Sequence, residues 1–298
     1  MMHKIQEIFD KYINQFPGEF AAGWMDLCSN ETYFINKKKT MPTASICKIF
    51  ILADILRKIE LGELNWTDKI IMNPKRISPG SGILKFFYGG EGLSLYDYAI
   101  LMMSISDNTA ADILFSLCDK EEIKEYILRP NLMNHTNCVL TCNEMVSDFY
   151  KGKGNPDSSQ SNQKLQKKSE AAVYDTNIWK FNYTTVSDLT AFLANAYHKK
   201  VVSPWVSNNL LTIMGKCLTN TRIPYYLPEN IKVLHKTGTM GQLVNDAGIV
   251  FTPKGDYILA LFYDGNAAYQ EDSLHIGNVH KYEQSLAELS RDIYSLYI

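Results

Sequence analysis

The chain has 298 residues with 30 Lys and Arg against 32 Asp and Glu, a formal net charge of −2, and so balanced a charge offers no drive towards nucleic acid or an anionic membrane surface. Hydrophobic residues make up 46% and aromatics 12%, ample for a packed core, while no run approaches the ~18 apolar residues of a membrane span. The six cysteines (Cys28, Cys47, Cys118, Cys138, Cys142, Cys217) contain no C-x-x-C pair, and Cys138 and Cys142 have no histidine cluster to complete a metal site, so free thiols in a reducing compartment are expected, with no metal and no cofactor.

Ile5, Ile8, Phe9, Tyr12 and Ile13 recur among charges at the spacing of an amphipathic helix, not of a signal peptide's apolar core. The chain as given is therefore expected in the cytoplasm, or in the periplasm or medium if an export segment was removed. Phe20 to Leu27 and Tyr33 to Asn36 read as two strands turning through Ser29-Asn30-Glu31. The segment 41–62 reads as a mostly buried helix ended by Gly62, because Ile49 to Leu56 is almost continuously apolar. Within it Asp54 is expected to pair with a basic side chain or to sit at an exposed edge.

Between Thr67 and Leu128, Pro74, Pro79, Gly80, Gly82 and Gly89-Gly90 break the chain into short helices and loops. Leu95 to Leu117 has helical spacing with an interruption near Ser106. Residues 151–170 are nearly free of apolar side chains and read as a solvated loop. Helices are expected at Thr185–Tyr197 and Val206–Leu218, strands at Lys232–His235, Val244–Phe251 and Tyr257–Phe262, and a last helix at Lys281–Tyr297. Strands at both ends with helices between them predict an α+β fold: residues 1–40 and 225–298 form a five-stranded antiparallel sheet with terminal helices, and 41–224 an all-helical lobe.

Chemistry concentrates first at Ser45-Ile-Cys-Lys48. A serine in the first turn of a helix, with an amine three residues on, places a hydroxyl beside a base where unpaired N–H groups favour negative charge. Ser161-Asn-Gln-Lys164 repeats the spacing in a polar tract, so the pattern alone is weak, and a helix cap is the plain alternative. Two tripeptides raise it: Ser106-Asp107-Asn108 at the helix interruption, and Lys236-Thr237-Gly238 at the end of a predicted strand.

The ordered set Ser-x-x-Lys, Ser-Asp-Asn, Lys-Thr-Gly resembles the signature of class A β-lactamases and penicillin-binding proteins. Gly80-Ser-Gly-Ile-Leu84, the run Gly92 to Leu114 and Asn245-Asp246-Ala247-Gly248-Ile249 extend the likeness over roughly 20–265. The resemblance implies a β-lactamase/DD-peptidase-like fold, a small-molecule substrate such as a β-lactam or related amide or ester, and a monomer. It casts Ser45 as nucleophile, Lys48 as its proton acceptor, Ser106 as the relay to the leaving group, and Lys236 as the cation that polarises the relay and attracts a carboxylate. Asn108 would orient Lys48 and hold a substrate amide. Thr237 and Gly238 would line the substrate, which leaves no room for a side chain at Gly238, and the N–H groups of Ser45 and Thr239 would form the oxyanion hole.

The departure lies in the loop that supplies the deacylating water. A Glu-x-x-Leu-Asn pattern is absent; Thr136 and Asn182-Tyr-Thr-Thr185 look like the loop's flanks, and between them Glu144 or Glu170 is the candidate base, each with a solvated surface carboxylate as its alternative. His235 is expected to pack outward from its strand. Three activities stay open: β-lactam hydrolysis with weak deacylation, hydrolysis of an intracellular ester, amide or lactone, and β-lactam binding or sensing without turnover.

Overall fold

The computed structural model describes residues 1–73, 76–87, 92–150, 181–265 and 277–298; the polar tract 151–170, Glu170, Pro74 and Gly89-Gly90 lie outside them. Helix α1 (Met2–Ile13) precedes strands β1 (Glu19–Asp26) and β2 (Thr32–Ile35). Helices α2 (Lys48–Glu60), α3 (Leu95–Ser104), α4 (Asn108–Phe115), α5 (Cys142–Tyr150), α6 (Val186–Tyr197) and α7 (Pro204–Met214) follow. The chain closes with strands β3 (Val233–Met240), β4 (Leu243–Val250) and β5 (Tyr257–Asp264) and helix α8 (Gly277–Tyr294). The five strands form one antiparallel sheet in the order β2-β1-β5-β4-β3, the mixed α+β architecture expected.

Period-two alternation sends the sheet's side chains into two cores. On β5, Ile258, Ala260 and Phe262 face the helical body, whereas Tyr257, Leu259, Leu261 and Tyr263 face the layer of α1 and α8. Trp24 on β1 joins the second core with Phe9, Tyr12, Tyr282 and Ile293. Neither face of the central strands meets water, which explains why β4 is buried along its whole length and reads as apolar without clean alternation.

Capping sets the helix starts. Ser94 and Asp97 form a reciprocal capping box on α3, Asp107 caps α4 through Ala110 N–H, Thr185 caps α6, and Ser203 caps α7 with Pro204 at its first position. That Ser-Pro pair starts α7 two residues before the expected Val206. Two expected boundaries change in ways that matter for the site: α2 starts only at Lys48, behind a 3₁₀ turn Ala44–Cys47, and β3 runs to Met240, so Lys236-Thr237-Gly238 lies inside the strand and not at its end.

Helix α2 is buried from Lys48 to Arg57. Asp54, 0% exposed, accepts a hydrogen bond from Arg57 Nε at 2.8 Å, and Arg57 reaches Glu122 at 2.9 Å and stacks 4.6 Å from the Tyr126 ring. Of the two places expected for Asp54, the buried ion pair is the one found. Among the described residues no helix is long and apolar enough to cross a membrane.

Removing one partner of a buried pair strands the other charge. Arg57→Ala is expected to lower unfolding stability by about 3–5 kcal/mol, read from the urea midpoint, and adding Asp54→Ala to recover part of the loss. A loss below about 1 kcal/mol would place Asp54 in contact with solvent.

Candidate active site

The nucleophile's turn is assembled from three directions. A two-residue ladder pairs Met41-Pro42 with Tyr183-Thr184, and Thr43 donates both its N–H (2.9 Å) and its hydroxyl (3.0 Å) to Asn182 O. Asn245 on β4 donates from Nδ2 to Pro42 O at 2.8 Å. So held, the chain passes Ala44 at φ +43°, a left-handed conformation costing an L-residue roughly 1–2 kcal/mol, and winds the 3₁₀ turn that carries Ser45. Ala44 and Ile46 are buried and Ser45 only half so, because its side chain opens onto a cleft of about 440 Å³.

Lys48 opens α2 and is fully buried. Its Nζ donates to Ser106 O (2.6 Å), Ser106 Oγ (3.1 Å) and Asn108 Oδ1 (2.8 Å). Lys236, fully buried on β3, donates to the same Ser106 Oγ at 3.1 Å and to Thr237 O at 2.8 Å. One hydroxyl thus receives hydrogen bonds from two amines. Burial first and the neighbouring Lys48 charge second push Lys236 down to about 7.

Ser106 sits between α3 and α4 at φ +59°. Asp107 fixes that bend: one carboxylate oxygen accepts from Ala110 N–H (2.9 Å), the other from Ile83 N–H (2.7 Å) and Leu84 N–H (3.0 Å). Gly82, at φ +113°, lies where a Cβ would come within 2.2 Å of that carboxylate. Asn108 completes the loop by donating from Nδ2 to Pro79 O at 2.7 Å, so its amide spans Lys48 and the Ser78-Pro79 segment.

Gly238 has a different constraint from the one expected. A Cβ there would meet Thr43 O at 2.6 Å and Ala44 Cβ at 3.3 Å, so the nucleophile's own turn already forbids a side chain. Ser45, Asn108 and Thr239 all line the cleft, and Thr237 is buried beside Lys236. His235 is the opposite of the outward residue expected: it is 2% exposed, and its Nδ1 lies 2.9 and 3.1 Å from the two oxygens of Asp246.

Glu144 is exposed and is not among the residues that line the cleft. Its carboxylate accepts from Thr141 N–H (2.8 Å) and hydroxyl (3.0 Å), while Thr141 Oγ1 accepts from Glu144 N–H at 3.0 Å. That is a capping box at the start of α5, whose Thr-x-x-Glu signature the sequence displays. The α5 side chains that do line the cleft are Cys142, Met145 and Val146. The loop's flanks meet as expected: Thr136 Oγ1 lies 2.7 Å from Thr184 Oγ1, and Asn182 Oδ1 accepts from Val139 and Leu140 N–H at 2.7 and 2.9 Å.

Arg222 escapes sequence reasoning. Fully buried, it donates to Gly238 O (3.0 Å), Asn245 O, Thr239 Oγ1 (2.5 Å) and Glu283 (3.0 Å), locking the cleft edge of β3 to α8. A lone arginine in Thr219-Asn-Thr-Arg222 gives no signal; its carboxylate partner is 61 positions away.

A serine and a lysine on a helix start, a Ser-Asp-Asn loop and a Lys-Thr-Gly strand, meeting where a five-stranded sheet adjoins a helical body, define the β-lactamase/penicillin-binding-protein type of fold. A β-lactamase from Sphaerobacter thermophilus superposes with a TM-score of 0.79 at 22% identity, over 100% of this chain and 98% of that one. PBP-A gives 0.76 at 22% identity, over 100% and 96%. Residues 2–297 match the β-lactamase enzyme family, and the chain belongs to it. β-Lactamase VEB-1 of Pseudomonas aeruginosa is 27% identical over 243 residues, covering 77% of this chain and 72% of the relative. Membership supports a hydrolase of the serine β-lactamase type.

Gly238→Ala tests the packing of the nucleophile's turn. Backbone at 2.6 Å yields little, so a loss of about 1–3 kcal/mol is expected, together with slower labelling of Ser45 by a serine-reactive phosphonate. Wild-type stability and labelling would show that the turn moves aside freely.

Proposed function

We propose that this protein is a serine acyl-transfer hydrolase that forms a covalent acyl-enzyme on Ser45 with β-lactams and releases the acyl group slowly. The observation carrying this reading is the pairing of two features: Lys48 and Lys236 both donate to Ser106 Oγ behind a cleft lined by Ser45, Asn108 and Thr239, whereas among the described residues no carboxylate lines that cleft.

In acylation Ser45 Oγ attacks the lactam carbonyl and its proton passes to the amine of Lys48. The Lys48 amine receives it by redirecting one of its bonds to Ser106 and Asn108 towards Ser45. The C–N bond then breaks as Ser106 delivers a proton to the leaving nitrogen and is resupplied through the lysines. Lys236, on the same hydroxyl, polarises it and attracts the substrate carboxylate. The N–H groups of Ser45 and Thr239 receive the oxyanion, a contribution worth about 3–4 kcal/mol per donor in acyl-transfer enzymes. Asn108, Thr237 and the β3 edge at Gly238 hold the substrate.

Hydrolysis of the ester needs an activated water. Glu144 is committed to Thr141, and Cys142, Met145 and Val146 form the wall opposite. A thiol that burial holds well above its usual range is no general base at neutral pH. With no such base among the described residues, deacylation is expected to be slower by roughly 10²–10⁴.

Rapid mixing with a chromogenic cephalosporin is expected to give a burst near one equivalent followed by slow release, with the adduct mapping to Ser45 and absent from Ser45→Ala. Cys142→Glu, which puts a carboxylate on the cleft wall, is expected to shorten the adduct's life. Burst-free turnover at high rate overturns slow deacylation; absence of any adduct, with hydrolysis of simple esters instead, moves the substrate class away from β-lactams.

The Lys236 amine predicts a pH effect. Its folded value is lowered to about 7, so the cation is present below that pH and lost above it. The second-order rate of acylation by a carboxylate-bearing substrate, which reports free enzyme, is expected to fall as pH rises through about 7. A rate still rising at pH ~9 would mean that cationic Lys236 is not required.

A further inference from the structure

A second cavity, which the acyl-transfer chemistry does not use, adjoins the Ser45 cleft. It has a volume of about 510 Å³ and lies between the segment 77–86 and helix α5. Neighbouring residues face opposite sides of one divide: Gly80 and Val146 line the Ser45 cleft, Pro79 and Ser147 the second cavity. A Cβ at Gly80, where φ is +88°, would lie 3.9 Å from Val146 Cγ2 across the divide and 2.9 Å from Asn108 Nδ2. Glycine keeps that divide low.

The second cavity has a fixed floor. One Asp112 carboxylate oxygen, on α4, accepts from the Ser78 hydroxyl (2.5 Å) and Asn143 N–H (2.9 Å), both lining residues, and the other accepts from Cys142 N–H (2.6 Å). Both banks are thereby tied to the helix that carries Asn108. The rim carries an aromatic ring and a cation: Phe86 is 73% exposed, and Lys85 Nζ lies 5.3 Å from its ring centre while donating to Gly80 O at 2.8 Å. Ile83 and Phe87, on the same segment, are exposed too, so the apolar surface is a cluster and not one scattered side chain. A ring with a positive charge beside it suits an aryl group bearing a carboxylate, the ring stacking on Phe86 and the anion meeting Lys85.

We propose that this second cavity is a subsite for the side chain of the substrate, and that it selects β-lactams whose acylamino side chain crosses the Gly80 divide and ends in an aryl carboxylate. The proposal rests on the acyl-transfer reading of Ser45. With the lactam carbonyl at Ser45 and the side-chain amide at Asn108, the tail runs over Gly80 and Val146. Its ring then lies against Phe86 and Ile77, and its carboxylate reaches Lys85. A short side chain stays within the Ser45 cleft and gains nothing from these residues.

The test measures equilibrium binding by calorimetry to Ser45→Ala, which takes no acyl group. Three penicillins sharing one nucleus are compared: one with an acetyl side chain, one with a long flexible side chain ending in phenyl, and one with the same chain ending in para-carboxyphenyl. The carboxyphenyl compound is expected to bind at least about tenfold more tightly than the acetyl one. Adding Phe86→Ala, a change at an exposed position, is expected to remove that gain and leave acetyl binding as it was. Adding Lys85→Met is expected to cost about threefold for the carboxyphenyl compound and nothing for the phenyl one. Equal affinity for all three, or a gain that survives both changes, overturns the subsite; acylation of wild-type Ser45 by the same three compounds would then leave the acyl-transfer reading standing. If no lactam binds, the carboxyphenyl side chain alone, as its primary amide, decides by saturation-transfer NMR. A signal lost in Phe86→Ala supports the subsite even though the lactam reading has failed, and no signal overturns both.

Discussion

Two ammonium groups converge on a single hydroxyl, and the rest of the molecule is arranged to make that tolerable. Like charges sharing an acceptor repel by on the order of 3 kcal/mol at an effective dielectric constant of about 20. Lys48 and Lys236 are both wholly buried, so desolvation adds to the repulsion. The cost is met by Ser106 O, Asn108 Oδ1 and Thr237 O, each taking an N–H, and by the loss of charge that brings Lys236 towards neutrality. A helix start, an inter-helix bend and a sheet strand must coincide to supply these partners. No shorter piece of the chain does so.

The same requirement explains the strained backbone. Ala44 and Ser106 both adopt positive φ, and each bend is over-determined by an amide or carboxylate from elsewhere: Asn245 and the Asn182 carbonyl for the first, Asp107 for the second. Strain of this kind persists where surrounding contacts fix it. Arg222 extends the brace by tying the β3 carbonyl of Gly238 to Glu283 on α8, which makes the far helical layer part of the cleft's edge.

Much of this was legible in the chain's order. Short, mainly apolar runs bounded by turn residues gave β1, β4 and β5 within a residue or two, and the three short motifs named the groups that meet at Ser106. What failed depends on segments distant in sequence. His235 is buried because residues 217–223 fold over that side of an edge strand, and nothing in Leu234-His-Lys-Thr announces a lid of that kind. Arg222 is hidden for the same reason. Glu144 is a different case: of its two readings the surface carboxylate is the one found, and Thr141-Cys-Asn-Glu144 spells the helix start that holds it there. At Gly238 the intolerance for a side chain was legible but the Thr43 O that enforces it was not, because that closeness arises from tertiary packing alone.

The Asn182 amide carries a consequence for how such a protein changes. Its side chain binds Val139 and Leu140 while its carbonyl holds Thr43, so the two ends of the intervening stretch are riveted to each other and to the nucleophile's turn by one residue. Chain added between fixed ends alters closure entropy only logarithmically, about 0.6 kcal/mol per doubling of length. Chain between the end of α5 and Asn182 can therefore be lengthened, shortened or rewritten as a cassette without dismantling the machinery that makes the acyl bond, whereas α5 itself is held by Cys142 and Met145 in the helical core.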